Sequence, residues 1–179
     1  MVVAALVMVA LVAVGAYAGV RMLGTRAGQH NSGSAPSQSV APPPVPPSTP
    51  AIPLSSQITD QSGVLGPLEH ASVDRAVTKL YNGRGTRLWV VYVKNFGGLK
   101  PFKWAEDTMR ANNFTDSDAI LAVATDVPAF SFRVPNAVTA GRAIDLEVIR
   151  RDRIQPAVSR HEWARAAIAA ANGLDVAPS

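Results

Sequence analysis

Aspartates are the residues of this sequence whose type and spacing could do chemistry. Asp60 lies in the stretch T-D-Q-S-G-V-L, Asp116 and Asp118 stand just before an apolar run, and Asp126 follows that run. Clustered carboxylates near serine or asparagine supply the hard oxygen ligands that Ca²⁺ and Mg²⁺ prefer. The sequence therefore offers Asp60, Asp118 and Asp116 as candidate ligands of a divalent cation.

The same aspartates also have a structural interpretation. An aspartate in a loop can accept hydrogen bonds from the backbone that follows it, and an aspartate before a strand can punctuate a turn. Residue type alone favours this second interpretation. The metal site is thus an expectation that depends on where the fold places the carboxylates.

Most other catalytic chemistries have no support in the sequence. It contains no cysteine, which excludes disulfides, thiolate zinc sites and cysteine nucleophiles. The three histidines, His30, His70 and His161, have no metal-ligand spacing. There is no G-x-G-x-x-G, P-loop or G-x-S-x-G motif, and Gly97-Gly98 fits a strand-to-helix turn better than a phosphate cradle. We therefore expect no nucleotide cofactor.

A net charge of +4 raises the question of a nucleic-acid partner. Binding nucleic acid requires a focused basic patch with stacking aromatics, and the densest basic stretch is interrupted by acids. Its arginines are Arg150, Arg151, Arg153, Arg160 and Arg165. We interpret this stretch as a solvated helical face and expect no nucleic-acid partner.

The elements that must position these residues lie between residues 54 and 174, where the hydrophobic pattern predicts a compact α/β domain. The predicted elements are a helix from Pro67 to Asn82-Gly83, a strand at Leu88–Val93, a helix at Pro101–Asn112, and strands at Ala119–Ala124 and Phe130–Val134. The packing stripes are predicted to hold Leu68, Ala71, Ala76, Val77 and Leu80 on the first helix, and Phe102, Ala105 and Met109 on the second.

The order of these elements predicts the topology. The first two strands, joined by a helix, should be parallel with a right-handed crossover, and the short third strand should pair antiparallel at an edge. Helices are expected at Thr139–Val148 and at His161–Ala171, the latter stopped by Asn172-Gly173. The expected fold is a small α/β/α sandwich with a mixed sheet of three to four strands.

The segments before this domain have a different composition. Val2–Val20 carries no charge and is long enough to span roughly 28 Å as a helix, close to the thickness of a bilayer core. We predict a transmembrane anchor at residues 1–23, with a cleavable signal peptide as the alternative. Residues 24–53 are rich in proline and serine and predict a disordered tether, and residues 175–179 a disordered tail.

The orientation of the anchor is predicted less directly. Arg21 and Arg26 follow the apolar segment, and the positive-inside rule read literally would place the domain in the cytoplasm. The tether, by analogy with exported proteins, favours an extracytoplasmic domain. We expect a single-pass protein of the cell membrane with its domain outside the cytoplasm.

The domain resembles the TPM-domain family, in particular its actinobacterial-type, membrane-anchored members. The resemblance rests on four stretches in the family's order: I-T-D-Q-S-G-V-L-G-P-L-E at 58–69, L-W-V-V-Y-V at 88–93, D-S-D-A-I-L-A-V-A at 116–124, and H-E-W-A-R-A-A-I-A-A-A-N-G-L at 161–174. It covers nearly all of the domain and neither the anchor nor the tether.

This resemblance implies an α/β/α sandwich outside the cytoplasm, with divalent-metal binding and weak acid-phosphatase activity in some members. Asp60 matches the family's T-D-x-x-G-x-L acid, and Asp118 falls in its acidic run. The chain departs from the family at 134–137, where V-P-N-A replaces a glycine-rich turn. We therefore expect a non-catalytic interaction or assembly module with an unknown protein partner, and a metal-dependent acid phosphatase is the alternative.

Overall fold

The computed structural model describes residues 52–177, in which four strands form one sheet in the order β1-β2-β3-β4. The strands are β1 (Ile58–Asp60), β2 (Arg87–Val93), β3 (Asp118–Ala124) and β4 (Ala129–Arg133). β1, β2 and β3 are parallel, and β4 pairs antiparallel with β3. The mixed sheet with an antiparallel edge strand confirms the predicted fold class. β1 has no predicted counterpart, because three residues are too few to show an alternating pattern.

Helices cover both faces of this sheet. The α-helices are α1 (Pro67–Arg84), α2 (Pro101–Ala111), α3 (Asn136–Thr139), α4 (Leu146–Val148), α5 (Gln155–Ser159) and α6 (Trp163–Leu174), and a π-helix (Ile149–Ile154) joins α4 to α5. β2 and β3 alternate between two cores, because successive side chains of a strand point to opposite faces. Leu88, Val90 and Tyr92 pack with α1 and α6, whereas Val91 and Val93 pack with α2.

This arrangement makes the two parallel crossovers differ in hand. β1, β2 and β3 are neighbours in chain order, yet α1 lies on one face of the sheet and α2 on the other. Two crossovers that advance in the same direction across a sheet have opposite hands when their helices cover opposite faces. Only one of them can follow the usual right-handed rule.

The helix α1 is longer and rotated relative to the prediction. Its buried residues are Val73, Val77 and Leu80, whereas Leu68 is 85% exposed, because at about 100° per residue it lies on the side of the helix opposite Val77. The helix ends at Gly85, whose φ of 66° is in the left-handed region, rather than at Asn82-Gly83. Gly85 donates its backbone N–H to the Tyr81 carbonyl, which closes the last turn.

The helix α2 presents most of the predicted face, because Ala105 is buried and Met109 packs against the same core. Trp104, Ala105 and Thr108 are buried against the sheet, and Phe102 is 48% exposed at the start of the helix. The prediction is wrong only for Phe102; the large aromatic of this face is Trp104, whose ring lies 5.2 Å from that of Phe96.

The carboxyl-terminal region contains the largest departure from the prediction. The expected helix at Thr139–Val148 is interrupted, because Gly141 adopts a φ of 67° that a continuing right-handed helix cannot contain. Asn172-Gly173 does not stop α6, which continues to Leu174. Gly173 instead permits close packing, since a Cβ there would lie 2.8 Å from the side chain of Ile149.

Residues at both ends of the described region are tied to the domain. Asn112 donates to the Ile52 carbonyl and accepts from the Leu54 N–H, so the fold begins two residues before the predicted boundary. Asp175, at the start of the predicted tail, pairs with Lys79 at 2.7 Å and Arg84 at 3.0 Å. Within residues 52–177 no helix is long and apolar enough to cross a membrane, and the predicted anchor lies outside that region.

Candidate functional site

The connections that leave β1 and β2 create a crevice at the carboxyl edge of the sheet. After β1 the chain turns towards the face covered by α1, and after β2 it turns towards the face covered by α2. Such a switch between neighbouring parallel strands is where open α/β sheets commonly bind ligands. Asp60, the last residue of β1, stands at this switch.

Asp60 holds its own loop together. Oδ1 accepts hydrogen bonds from the backbone N–H groups of Ser62 at 3.2 Å and Gly63 at 2.8 Å, and Oδ2 accepts from the N–H of Leu65 at 2.8 Å. Gly63 has a φ of 67°, so the chain can reverse tightly around the carboxylate. The carboxylate thus orders the turn that leads into α1.

The crevice brings the loops after β1 and β3 into contact. The hydroxyls of Ser62 and Thr125 are 3.1 Å apart, and Asp126 follows Thr125 as an exposed residue of the β3–β4 turn. Beside them lies an open cavity of about 310 Å³, whose lining includes Gln61, Lys94 and Asn95. The carboxyl edge therefore combines Asp60 and Asp126 with polar and basic side chains.

Tyr92 lies beneath this edge and has no free hydroxyl for chemistry. Its hydroxyl donates to the backbone carbonyl of Trp163 at 2.8 Å, and the side chain is fully buried. Burial raises the pKa of Tyr92 far above its usual value, and the carboxylates of Asp60 and Glu69 raise it further. The phenol therefore stays protonated and acts as a structural donor.

Asp118 is the centre of a different network, at the amino edge of the sheet. Its Oδ2 accepts from the N–H of Thr115 at 2.8 Å and from the Thr115 hydroxyl at 2.6 Å. Its Oδ1 accepts from Trp89 Nε1 at 3.1 Å and from the guanidinium of Arg87 at 3.3 Å. Only 3% of the residue is exposed. This carboxylate ties the starts of β2 and β3 together.

The electrostatics of Asp118 follow from these contacts. Burial alone would raise its pKa, but the hydrogen bonds from Thr115 and Trp89, together with the charge of Arg87, lower it below the usual value. The carboxylate is therefore ionised at neutral pH and its lone pairs are occupied by donors of the protein itself.

The fold separates the aspartates that the sequence groups together. Asp60 lies beside Tyr92 in the register of the sheet and Asp118 lies beside Arg87, five positions earlier on β2. At a rise of about 3.3 Å per residue, this places them roughly 16 Å apart along the strand direction alone. Asp116 is exposed in the turn beside Asp118. One ion therefore cannot contact Asp60 together with either of the others.

The part of the chain that the structure describes contains no group of three or more histidine, cysteine, aspartate or glutamate side chains placed to hold a metal ion. Sequence reasoning also missed a property of the carboxyl edge. Leu68, Phe102 and Val127 all lie near it, at the starts of two helices and in the β3–β4 turn, with exposures of 85%, 48% and 77%. The signal that could have revealed them is their position in first turns and loops rather than their spacing.

Comparisons with known proteins agree with this architecture. A family model described as "TPM domain" matches residues 58–177. Two UPF0603 proteins, from the CDC 1551 / Oshkosh and H37Rv strains of Mycobacterium tuberculosis, are 42% identical over 130 residues, which is 73% of this chain. The chain spans only 20% of the length of these curated relatives.

Two solved structures share the fold. The N-terminal domain of the cg2496 protein from Corynebacterium glutamicum matches with a TM-score of 0.58 at 20% identity, over 68% of this chain and 78% of that one. The N-terminal domain of a P. gingivalis protein matches with a TM-score of 0.54 at 16% identity, over 66% and 79% of the two chains. At these identities the likeness concerns the fold alone.

Proposed function

This chain belongs to the TPM-domain family, and from that premise we propose that it is a membrane-anchored member of the actinobacterial type that acts as a non-catalytic interaction module. The proposal places residues 1–23 in the membrane as a single-pass anchor and the domain on the extracytoplasmic side. Its support is the uncharged run Val2–Val20, which has the length of a bilayer span. An unidentified protein is the expected partner.

One observation carries the non-catalytic part of this proposal. The carboxylates of Asp60 and Asp118 are both used by hydrogen-bond donors of the domain itself, and they lie at opposite edges of the sheet. A catalytic cation needs several oxygen ligands directed at one point, together with an open position for substrate. Here each carboxylate stabilises its own surroundings.

A weak metal-dependent acid phosphatase is the second candidate, and one observation favours it. Asp60 and the exposed Asp126 lie at the same edge of the sheet, where the contact between Ser62 and Thr125 joins their loops. A Ca²⁺ or Mg²⁺ ion bound there would compete with three backbone donors for the Asp60 carboxylate. Asp116 and Asp118 could not ligate the same ion, because they lie at the amino edge.

The two candidates differ in how metal and activity respond to substitution. We would measure hydrolysis of p-nitrophenyl phosphate by the full-length chain with Ca²⁺ or Mg²⁺, and titrate each ion by calorimetry. The interaction module predicts no metal-dependent hydrolysis, and it predicts that Asp60→Asn lowers stability. Asp126→Asn, which makes the same charge change at an exposed position, should leave stability unchanged. Hydrolysis that both Asp60→Asn and Asp126→Asn abolish would instead establish the phosphatase.

Topology has a separate test. A reporter active only outside the cytoplasm, fused to the carboxyl terminus of the full-length chain, should be active in cells. Activity confined to a cytoplasmic reporter would contradict the extracytoplasmic placement. The stretch A-Y-A at 16–18 resembles a cleavage site, and a mature chain that begins at Gly19 would favour a cleaved signal peptide over an anchor.

A further inference from the structure

The outer side of β4, the last strand of the sheet, forms the floor of a groove. β4 pairs with β3 and is the last strand in the order of the sheet. Beside it lies a cavity of about 600 Å³ between the start of α2 and the π-helix. The side chains that line it include Lys100, Phe102, Phe130, Arg133, Arg150 and Arg151. We name this cavity the β4 groove.

The backbone of β4 is directed into this groove. Arg150 donates from Nε at 3.2 Å and from Nη2 at 2.9 Å to the carbonyl of Phe132, which therefore points away from β3. In an antiparallel pair the inward and outward positions alternate along the strand, so Phe130 has the same orientation as Phe132. The outward groups of an edge strand form a template on which a further strand can pair.

The walls of the groove are basic. Lys100, Arg133, Arg150 and Arg151 line it, whereas Glu147 is the acidic residue among the lining side chains. Each of these arginines has an acidic neighbour, since Glu106 pairs with Arg133 at 2.8 Å, Glu147 with Arg150 at 3.7 Å and Asp152 with Arg151 at 2.6 Å. They hold the guanidinium groups in place at its rim. Lys100 adds a fourth positive charge against these three acids, and ion pairs as exposed as these are weak. The remaining positive charge of the groove fits an acidic occupant.

An aromatic side chain and a π-helix also form part of the walls of the groove. The guanidinium of Arg133 lies over the ring of Phe102, 5.8 Å from its centroid, so both walls combine a ring or a hydrocarbon stem with positive charge. Arg150 and Arg151 project from the π-helix, a conformation that is rare and is often found at functional sites.

The segment that precedes the domain in this sequence is not a matching occupant. The proline-rich segment 24–51 contains Arg26 and no aspartate or glutamate. A second copy that presented the same edge would face one basic groove with another. An external acidic segment satisfies both the backbone and the charge of this surface.

We propose that the β4 groove binds an extended acidic peptide of a partner protein, which adds to the sheet beside β4 as a fifth strand. Carboxylates of the peptide pair with Lys100 and Arg151 on the two walls. Its backbone bonds to the outward groups of Phe130 and Phe132, and it displaces Arg150 from the Phe132 carbonyl. This inference rests on the proposed interaction function and names its surface and the chemistry of its partner.

The test uses the full-length chain in detergent and a labelled peptide of alternating glutamate and valine, about eight residues long. Fluorescence anisotropy should show saturable binding, and the amide hydrogens of Phe130 and Phe132 should exchange more slowly when the peptide is bound. Lys100→Glu and Arg151→Glu should each weaken binding about tenfold or more. Arg75→Glu, the same charge change at an exposed position on α1, should leave binding unchanged.

Two further probes separate strand addition from attraction to any polyanion. The same peptide N-methylated at every residue keeps its charge but cannot donate backbone hydrogen bonds from either side, so it should not bind. An oligonucleotide of equal charge should compete poorly. Equal binding of the N-methylated peptide, equal competition by the oligonucleotide, or no binding at millimolar peptide would each overturn the proposal.

Failure of this inference can be told apart from failure of the proposed function. Metal-dependent phosphatase activity that Asp60→Asn and Asp126→Asn abolish contradicts the interaction module, whatever the peptide does. If neither hydrolysis nor peptide binding is found, only the assignment of the β4 groove is overturned.

Discussion

The two edges of the sheet use the same residue type in opposite ways. At the carboxyl edge, Asp60 is half-buried and accepts only from backbone groups within five residues of it. At the amino edge, Asp118 is buried and accepts from side chains of β2 as well as from Thr115. The first carboxylate orders a loop and the second joins two strands. A carboxylate that joins two strands should contribute more to the free energy of unfolding than one that orders a single turn.

The largest expected effect is at the amino edge. Asp118→Ala should lower the free energy of unfolding by about 3 kcal/mol, because it leaves the donors of Arg87, Trp89 and Thr115 without their buried charged partner. Urea unfolding followed by circular dichroism measures this loss. The control is Asp116→Ala, an exposed aspartate two residues away, which should change stability by less than about 0.5 kcal/mol. Equal losses for the two variants would contradict the role of the network.

The carboxyl edge should respond less strongly. We expect Asp60→Ala to cost about 1.5 kcal/mol, since the three freed N–H groups lie in a loop that water can reach. The same unfolding measurement applies, with Asp126→Ala as the matched exposed substitution. A cost at Asp60 as large as that at Asp118 would break the comparison between the edges.

Coupling between partners sharpens the comparison. Trp89→Phe removes the indole N–H that donates to Asp118, and should cost about 1 kcal/mol in the wild type but little in the Asp118→Ala background. Tyr92→Phe removes a donor that bonds to Trp163 instead, so its cost should be the same in both backgrounds. Additive losses for Trp89 and Asp118 would show that the two residues act independently.

The smallest expected effect is the pH dependence at the amino edge. The pKa of Asp118 is lowered in the folded state, so its ionised form contributes stability above the unfolded pKa of about 3.9, and this is lost as pH falls through the lower folded value. The stability difference between wild type and Asp118→Asn should therefore shrink between pH 7 and pH 3. A gap for Asp118→Asn that widens in acid would contradict this sign.

The central strands were predictable because their signals are local. Leu88–Val93 and Ala119–Ala124 are continuous apolar runs, and the structure extends each by a single residue, Arg87 and Asp118. These two extra residues face each other in the sheet and carry the ion pair of the amino edge. The charge that begins a strand looks like loop sequence until the register of the pairing is known.

Helix faces were harder to predict, because periodicity gives a spacing but not a partner. Leu68 and Phe102 were predicted to belong to packing stripes, yet they are 85% and 48% exposed, and Phe102 contacts Arg133 of β4 instead of the core. Gly173 was interpreted as a stop because glycine follows asparagine there, whereas its missing Cβ makes room for Ile149. The π-helix gave no separate pattern, and its arginines resemble a solvated face until β4 is placed beside them.

By itself the sequence determined the strand–helix–strand core, the mixed sheet and the family, since hydrophobic runs, turn residues and motif order are properties of neighbours along the chain. Only the tertiary structure decided that Asp60 and Asp118 lie at opposite edges, and that Arg150 and Arg151 lie beside the edge strand β4. The physical reason is that parallel strands all begin at one edge of the sheet and end at the opposite edge, so the end of β1 and the start of β3 lie far apart. The direction of each strand, which local pattern does not record, decides which charges meet.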